Sequence, residues 1–114
     1  MSTYSKQLLS GCVNGLGIAV SGSVAGSGVV VHTAVSGTGS FDEVWIYGLN
    51  TSASSVKTTV EWGETSNPIE VTIPGEGGLY LIVPGLLLQN EKVIRAFATT
   101  PNVIVINGFV NRIS

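Results

Sequence analysis

Charged side chains are scarce in this sequence. Asp, Glu, Lys and Arg make up 11% of its 114 residues, whereas apolar residues make up 44%. This composition excludes the polar, highly charged class of chains that remain disordered. It also provides little of the interspersed charge that keeps a small domain soluble as a lone monomer. We therefore expect one folded domain, part of whose surface is covered by other subunits.

Basic residues are few, and long apolar runs are missing. The net charge is −2, and the basic residues are scattered along the chain as Lys6, Lys57, Lys92, Arg95 and Arg112. Binding of nucleic acid through its phosphates needs a dense basic stripe, so we expect no nucleic-acid partner. No run approaches the 18 or more apolar residues of a membrane-spanning helix, so we expect no membrane partner.

The N-terminal sequence offers no convincing targeting segment. Residues 9–12 resemble a lipoprotein cleavage box, but only Gln7, Leu8 and Leu9 lie between Lys6 and Ser10 of that box. A signal segment needs an apolar stretch of about 7–15 residues before the cut. The sequence therefore predicts that no signal segment is removed.

Cysteine and histidine each occur once, which limits the chemistry of any site. Cys12 has no second cysteine to pair with, and one cysteine with one histidine, His32, do not make a zinc site. Asp42 and Glu43 are adjacent, so they would lie on opposite faces of a strand. No Gly-x-Ser-x-Gly or phosphate-binding glycine motif occurs. We expect no enzyme activity, no metal and no cofactor.

Residues that favour β-strands are abundant in the sequence. The chain has 16 Val, 9 Ile and 10 Thr against 6 Ala and 3 Lys, and side chains branched at Cβ fit a pleated sheet better than a helix. Short apolar or alternating runs are separated by Gly, Pro, Asn and Ser, which favour turns. The predicted strands are 29–35, 44–49, 56–62, 69–73, 79–83, 93–98 and 103–110, with a short eighth candidate at 16–20.

These runs predict an all-β fold. Seven or eight strands joined by short turns suit an antiparallel β-sandwich, either jelly-roll-like or immunoglobulin-like, because no gap can hold the helical crossover of a parallel sheet. The one helical candidate is a turn at 86–90. The Gly- and Ser-rich residues 1–27 are interpreted as an extended N-terminal arm, and residues 28–114 as the sandwich domain. We expect a neighbouring molecule to hold the arm in place.

Several predicted strands are apolar on both faces, and one sandwich cannot bury them all. Their second faces are expected to meet another subunit or the arm. The predicted interface residues come from the arm, the central strands and the last strand; they are Leu8, Leu9, Leu16, Ile18, Trp45, Tyr47, Tyr80 and Arg112.

Aromatic side chains leave a second interpretation open. Trp45, Tyr47, Trp62 and Tyr80 would suit a sugar-binding platform, since sandwich lectins use exposed aromatic rings. The alternative for the same four residues is core packing and subunit contact, which we favour.

Parts of the sequence resemble small β-sandwich virion proteins of tailed bacteriophages. The resemblance lies in two stretches, 43–52 followed by 58–63 and the C-terminal 107–113, together with Val83-Pro84-Gly85-Leu86 and residues 95–98. The resemblance is to the capsid cement or decoration class, and it covers about residues 41–113. It is a pattern of strands and turns rather than a diagnostic motif.

The resemblance implies a structural virion protein, made in the host cytoplasm and located on the outer surface of the phage capsid. It implies a homotrimer that bridges neighbouring subunits of the major capsid protein, with no catalytic residues. Alternatives are another phage module, such as a neck, tail or head-fibre base protein, and a carbohydrate-binding or adhesin β-sandwich.

Overall fold

The fold is all-β, as predicted. The computed structural model describes residues 3–114, and in this part of the chain it contains strands and no helix. None of the described segments is therefore a helix that could cross a membrane. The strands are β1 (Tyr4–Leu8), β2 (Ile18–Ala19), β3 (Val29–Thr33), β4 (Phe41–Asn50), β5 (Val56–Gly63), β6 (Pro68–Ile73), β7 (Tyr80–Leu88), β8 (Val93–Ala98) and β9 (Ile104–Ile113).

The strands form two antiparallel sheets. The larger sheet has the order β1-β9-β4-β7, with β2 also paired to β9, and the smaller sheet has the order β3-β8-β5-β6. In chain order, the strand pairs are nested around the central pair β5–β6, which is enclosed in turn by β4–β7, β3–β8 and β1–β9. Successive pairs alternate between the two sheets. This nesting is the arrangement of a jelly roll, and it differs from the ABED and CFG sheets of an immunoglobulin domain.

Strict alternation of side chains builds the core between the sheets. On β4, Val44 and Ile46 are fully buried, whereas their neighbours Glu43, Trp45 and Tyr47 are only partly covered. This is the period of two that a strand with one buried face requires. The remaining large core side chains are Leu9, Ile18, Val20, Val31, Val56, Val60, Ile73, Ile82, Val83, Ile94, Ile104, Ile106 and Val110.

Residues 1–27, predicted to be an extended arm, contribute two strands to the larger sheet. β1 pairs with β9 from Tyr4 opposite Ile113 to Leu8 opposite Phe109. β2, which falls inside the predicted strand at 16–20, pairs with β9 further along. From residue 3 onward this segment therefore lies along the sandwich of its own chain, whereas residues 1 and 2 fall outside the described part.

The predicted helical turn at 86–90 is wrong. β7 continues through a bulge beyond Pro84, and Leu86 and Leu88 pair with Val44 and Asp42 of β4. Three consecutive leucines would suit a helix, but the long neighbouring strand β4 supplies backbone partners that extend β7. The chain turns only at Asn90 and Glu91, which both have positive φ.

Candidate assembly surface

The outward side of the larger sheet is rich in aromatic and aliphatic side chains. Because Val44 and Ile46 point into the core, Trp45 and Tyr47 point outward, and the strand register places Phe109 beside Trp45. We call this surface the outer apolar face; its apolar members are Tyr4, Leu8, Phe41, Trp45, Tyr47, Leu81, Leu87, Phe109 and Ile113.

Trp45 and Phe109 form the centre of the outer apolar face. Their rings are stacked with centroids 6.2 Å apart and an interplanar angle of 11°. The ammonium group of Lys6 lies 5.0 Å from the centroid of the Phe109 ring, and the indole N–H of Trp45 donates to Oε1 of Glu43 over 3.1 Å. The face thus has an aromatic centre with one cation and one carboxylate held beside it.

The outward side of the smaller sheet has a different composition. Lys57, Glu70, Thr72 and Arg95 are exposed there, and Lys57 pairs with Glu70 over 3.4 Å. Such a polar outward side is typical of an antiparallel sheet that faces water. The outward side of the larger sheet is therefore the more apolar of the two, because none of the exposed large apolar side chains within residues 3–114 lies on a strand of the smaller sheet, and it is the candidate for contact with another molecule.

The predicted interface residues fall into separate environments. Leu8 is 56% exposed, and with the partly covered Trp45 and Tyr47 it belongs to the outer apolar face. Tyr80 is exposed at the start of the edge strand β7, and Leu16 is exposed in the loop before β2.

Leu9 and Ile18 are almost completely buried in this structure. Leu9 is 2% exposed and Ile18 is 7% exposed, and both pack in the core between the sheets. The apolar residues of the N-terminal segment therefore divide between the core and the surface.

Arg112, also a predicted interface residue, belongs to a polar cluster centred on the buried Asp42, and its own side chain is 34% exposed. Its Nε donates to Oδ1 of Asp42 over 2.7 Å, and one terminal nitrogen donates to Oδ2 over 3.0 Å. His32 lies on the other side of Asp42, with Nε2 at 2.7 Å from Oδ2, and Asp42 has no exposed surface. Because His32 is on β3 and Asp42 and Arg112 are on β4 and β9, the cluster links the two sheets.

The hydrogen bonds of the cluster determine its charge state. Burial alone would raise the pKa of Asp42, but hydrogen bonds from Arg112 and His32, together with the positive charge of Arg112, hold it below the ordinary value of 3.8. The hydrogen bond to Asp42 raises the pKa of Arg112. Asp42 is therefore an ionised carboxylate, which also accepts a hydrogen bond from the backbone N–H of Val35.

His32 is not arranged as the base of a Ser-His-Asp triad. Its Nδ1 accepts the backbone N–H of Ser10 over 3.0 Å, so Nε2 carries the proton that is donated to Asp42. The hydroxyl of Ser10 accepts the backbone N–H of Thr33 instead of reaching the imidazole. Both ring nitrogens are thus occupied, and the geometry anchors the segment after β1 rather than activating a nucleophile.

Sequence reasoning missed several members of the outer apolar face. Phe109, Leu81 and Leu87 were not among the predicted interface residues, although they lie beside Trp45, Tyr47 and Glu43 in the register. The alternation of β9, in which the buried Ile106 and Val110 bracket Phe109 at odd spacing from each, was the available signal. The pairing of these strands across the chain was not available from the sequence.

Within residues 3–114, no three His, Cys, Asp or Glu side chains are grouped so that they would hold a metal ion. Comparison of the chain with protein-family models, curated proteins and solved structures gave no match. The surfaces and polar groups of this chain are therefore the features that point to a function.

Proposed function

We propose that this chain is a structural virion protein of a bacteriophage, a cement or decoration protein on the outer surface of the capsid. As a homotrimer it would bridge neighbouring subunits of the major capsid protein and stabilise their contacts. The observation that carries the proposal is the outer apolar face, where a stacked Trp45–Phe109 pair and exposed Tyr and Leu side chains stand in place of the polar side chains of a water-facing sheet.

The physical basis of the proposal is burial of this face. An exposed patch of Trp, Tyr, Phe and Leu gains free energy when another surface covers it, and aromatic side chains often provide the strongest contacts of protein interfaces. The low charge of the whole chain also supports the proposal, because a protein that is permanently part of an assembly needs less surface charge to remain soluble. Jelly rolls occur in viral capsids and also in lectins, so the fold is compatible with the proposal but does not single it out.

Phage particles that lack this chain provide the direct test. Purified protein added to such heads should bind their outer surface as trimers and raise the temperature at which they release DNA. Leu87→Lys, on the outer apolar face, should weaken this binding about tenfold or more because it places a charge in the buried contact. Thr72→Lys, an equal change of charge on the exposed side of the smaller sheet, is the matched control.

Two results would contradict the proposal at different levels. Binding that is equally strong for both lysine variants would show that the outer apolar face is not the surface that contacts the capsid. A particle reconstruction that places the chain at the neck, the tail or a head fibre would replace the capsid function with that of the alternative module.

A further inference from the structure

A second, independent feature lies at one end of the smaller sheet. The carboxylate-bearing side chain of Glu61 is on the outward side of β5, because its neighbour Val60 is buried in the core. Glu61 is nevertheless only 2% exposed. Among the described residues, its Oε1 has no hydrogen-bond partner.

A buried carboxylate oxygen without a partner is unfavourable. Most buried polar side-chain atoms in proteins have at least one hydrogen bond, and leaving one unmade costs free energy because water has been removed from it. The expected remedy is a donor from another molecule, if there is room for one beside Glu61.

Glu61 lines a cavity that provides this room. The cavity has a volume of about 240 Å³ and is also lined by Gly63, Glu64, Thr65, Glu91, Lys92, Val93 and Arg95. Glu64 and Glu91 are exposed, so three carboxylates surround a space that remains accessible from solvent. The two basic side chains leave the lining with an excess of one negative charge.

The cations of the cavity do not neutralise its carboxylates in this structure. Arg95 is directly opposite Glu61 in the pairing of β5 with β8, yet it is exposed. Within residues 3–114, salt bridges join only other pairs, such as Lys57 with Glu70. The carboxylates are also not grouped closely enough to hold a metal ion, which favours a larger group that carries its own N–H donors.

We infer that the Glu61 cavity binds a cationic nitrogen group with N–H donors, either a primary ammonium or a guanidinium. The group pairs with the carboxylate of Glu61, and its positive charge is balanced by Glu64 and Glu91 at the rim. Such charge-assisted hydrogen bonds are stronger than neutral ones. The cavity is on the opposite sheet from the outer apolar face, so the inference stands independently of the proposed function.

The test measures binding of small cations to the full chain by NMR titration. Butylammonium and propylguanidinium should bind at millimolar concentration or below and shift the signals of Glu61, Gly63 and Thr65. Tetramethylammonium has the same charge but no N–H, so it should bind at least about tenfold more weakly.

Variants assign the binding to the cavity. Glu61→Gln should weaken butylammonium binding about tenfold, since a neutral amide replaces the charged acceptor. Glu70→Gln, on the same side of the sheet but outside the cavity, should leave binding unchanged. Glu91→Gln changes an exposed residue at the rim, leaves the buried carboxylate in place and should weaken binding several-fold. It replaces Glu61→Gln as the test variant if Glu61→Gln does not fold.

Short Gly-Ser peptides with one central Lys or Arg distinguish the source of the cation. Tighter binding of these peptides than of the small amines would assign the cavity to a side chain of a partner protein, and tighter binding of the amines would assign it to a free metabolite. The inference is overturned if no amine binds, or if Glu61→Gln binds as well as the wild type. It is also overturned if amines bind only after Arg95→Gln, because Arg95 would then be the natural occupant.

Discussion

Nε2 of His32 lies 2.7 Å from Oδ2 of Asp42, and this contact joins the two sheets of the jelly roll inside the protein. The same carboxylate holds Arg112, which is 70 residues away in the sequence. The other nitrogen of His32 accepts the backbone N–H of Ser10 and so fixes the chain after β1. One buried carboxylate therefore organises three strands and the N-terminal segment.

Asp42→Asn should destabilise the protein by about 1–3 kcal/mol, because the amide leaves the hydrogen bonds around this buried position incomplete. The amide also cannot balance the charge of Arg112, whose side chain is 34% exposed and so keeps part of its hydration. The free energy of unfolding in urea is the measurement. Glu70→Gln breaks the exposed pair with Lys57 and should change stability by less than about 0.5 kcal/mol. Equal effects of the two changes would show that the cluster does not stabilise the fold.

Stability should fall at acid pH through Asp42. Its pKa is lowered in the folded state, so the unfolded chain binds the proton more readily and acid favours unfolding. The contribution is complete above the ordinary value of 3.8 and is lost as the pH falls through the lower folded pKa. Urea unfolding between neutral pH and about pH 3 should show a steeper loss for the wild type than for Asp42→Asn. Parallel curves would refute a role for this carboxylate.

Leu81→Lys should reduce self-association. Leu81 is 44% exposed on β7, beside Tyr47 of the outer apolar face, and a lysine there would need to lose its hydration in any contact. Sedimentation equilibrium of the purified chain is expected to show a trimer for the wild type and a shift towards monomer for the variant. Thr72→Lys is the control and should remain associated. A wild type that is monomeric at high concentration would argue against this surface as a contact between copies.

Leu9→Ala should destabilise the fold by about 2–5 kcal/mol. Leu9 is 2% exposed in the core, so the change leaves a cavity as well as losing apolar burial. Leu16→Ala, in the same N-terminal segment but with the side chain 69% exposed, should have an effect within about 0.5 kcal/mol. Thermal unfolding of both variants is the measurement. A neutral Leu9→Ala would show that the N-terminal segment adds little to the stability of the core.

Gly108→Ala should destabilise the larger sheet by about 1–3 kcal/mol. A Cβ at this position would collide with the backbone oxygen of Trp45, and a backbone atom cannot move aside as a side chain can. Gly39→Ala is the control because a Cβ there would meet nothing within 4 Å. Urea unfolding should separate the two variants clearly, and an unchanged Gly108→Ala would show that β4 and β9 pack more loosely than they do in this structure.

The sequence was sufficient for the fold class because strand alternation is a local property. The run at 56–62 predicted β5, and the Gly and Pro positions between runs located most of the turns. The alternation of Asp42 and Glu43 also predicted correctly that these two carboxylates lie on opposite faces, since one is buried and the other partly exposed. Local signals failed at 86–90, where the leucines suit a helix but pair with β4.

The sequence by itself determined that this chain is a charge-poor, all-β protein with more apolar strand surface than one sandwich interior can hide. Only the tertiary structure decided which apolar face is buried, because that depends on which distant strands pair. The pairing of β1 with β9 and of β4 with β9 brings Lys6, Trp45 and Phe109 together on one surface. It also brings Asp42 to Arg112, and no local pattern contains the register that makes either contact.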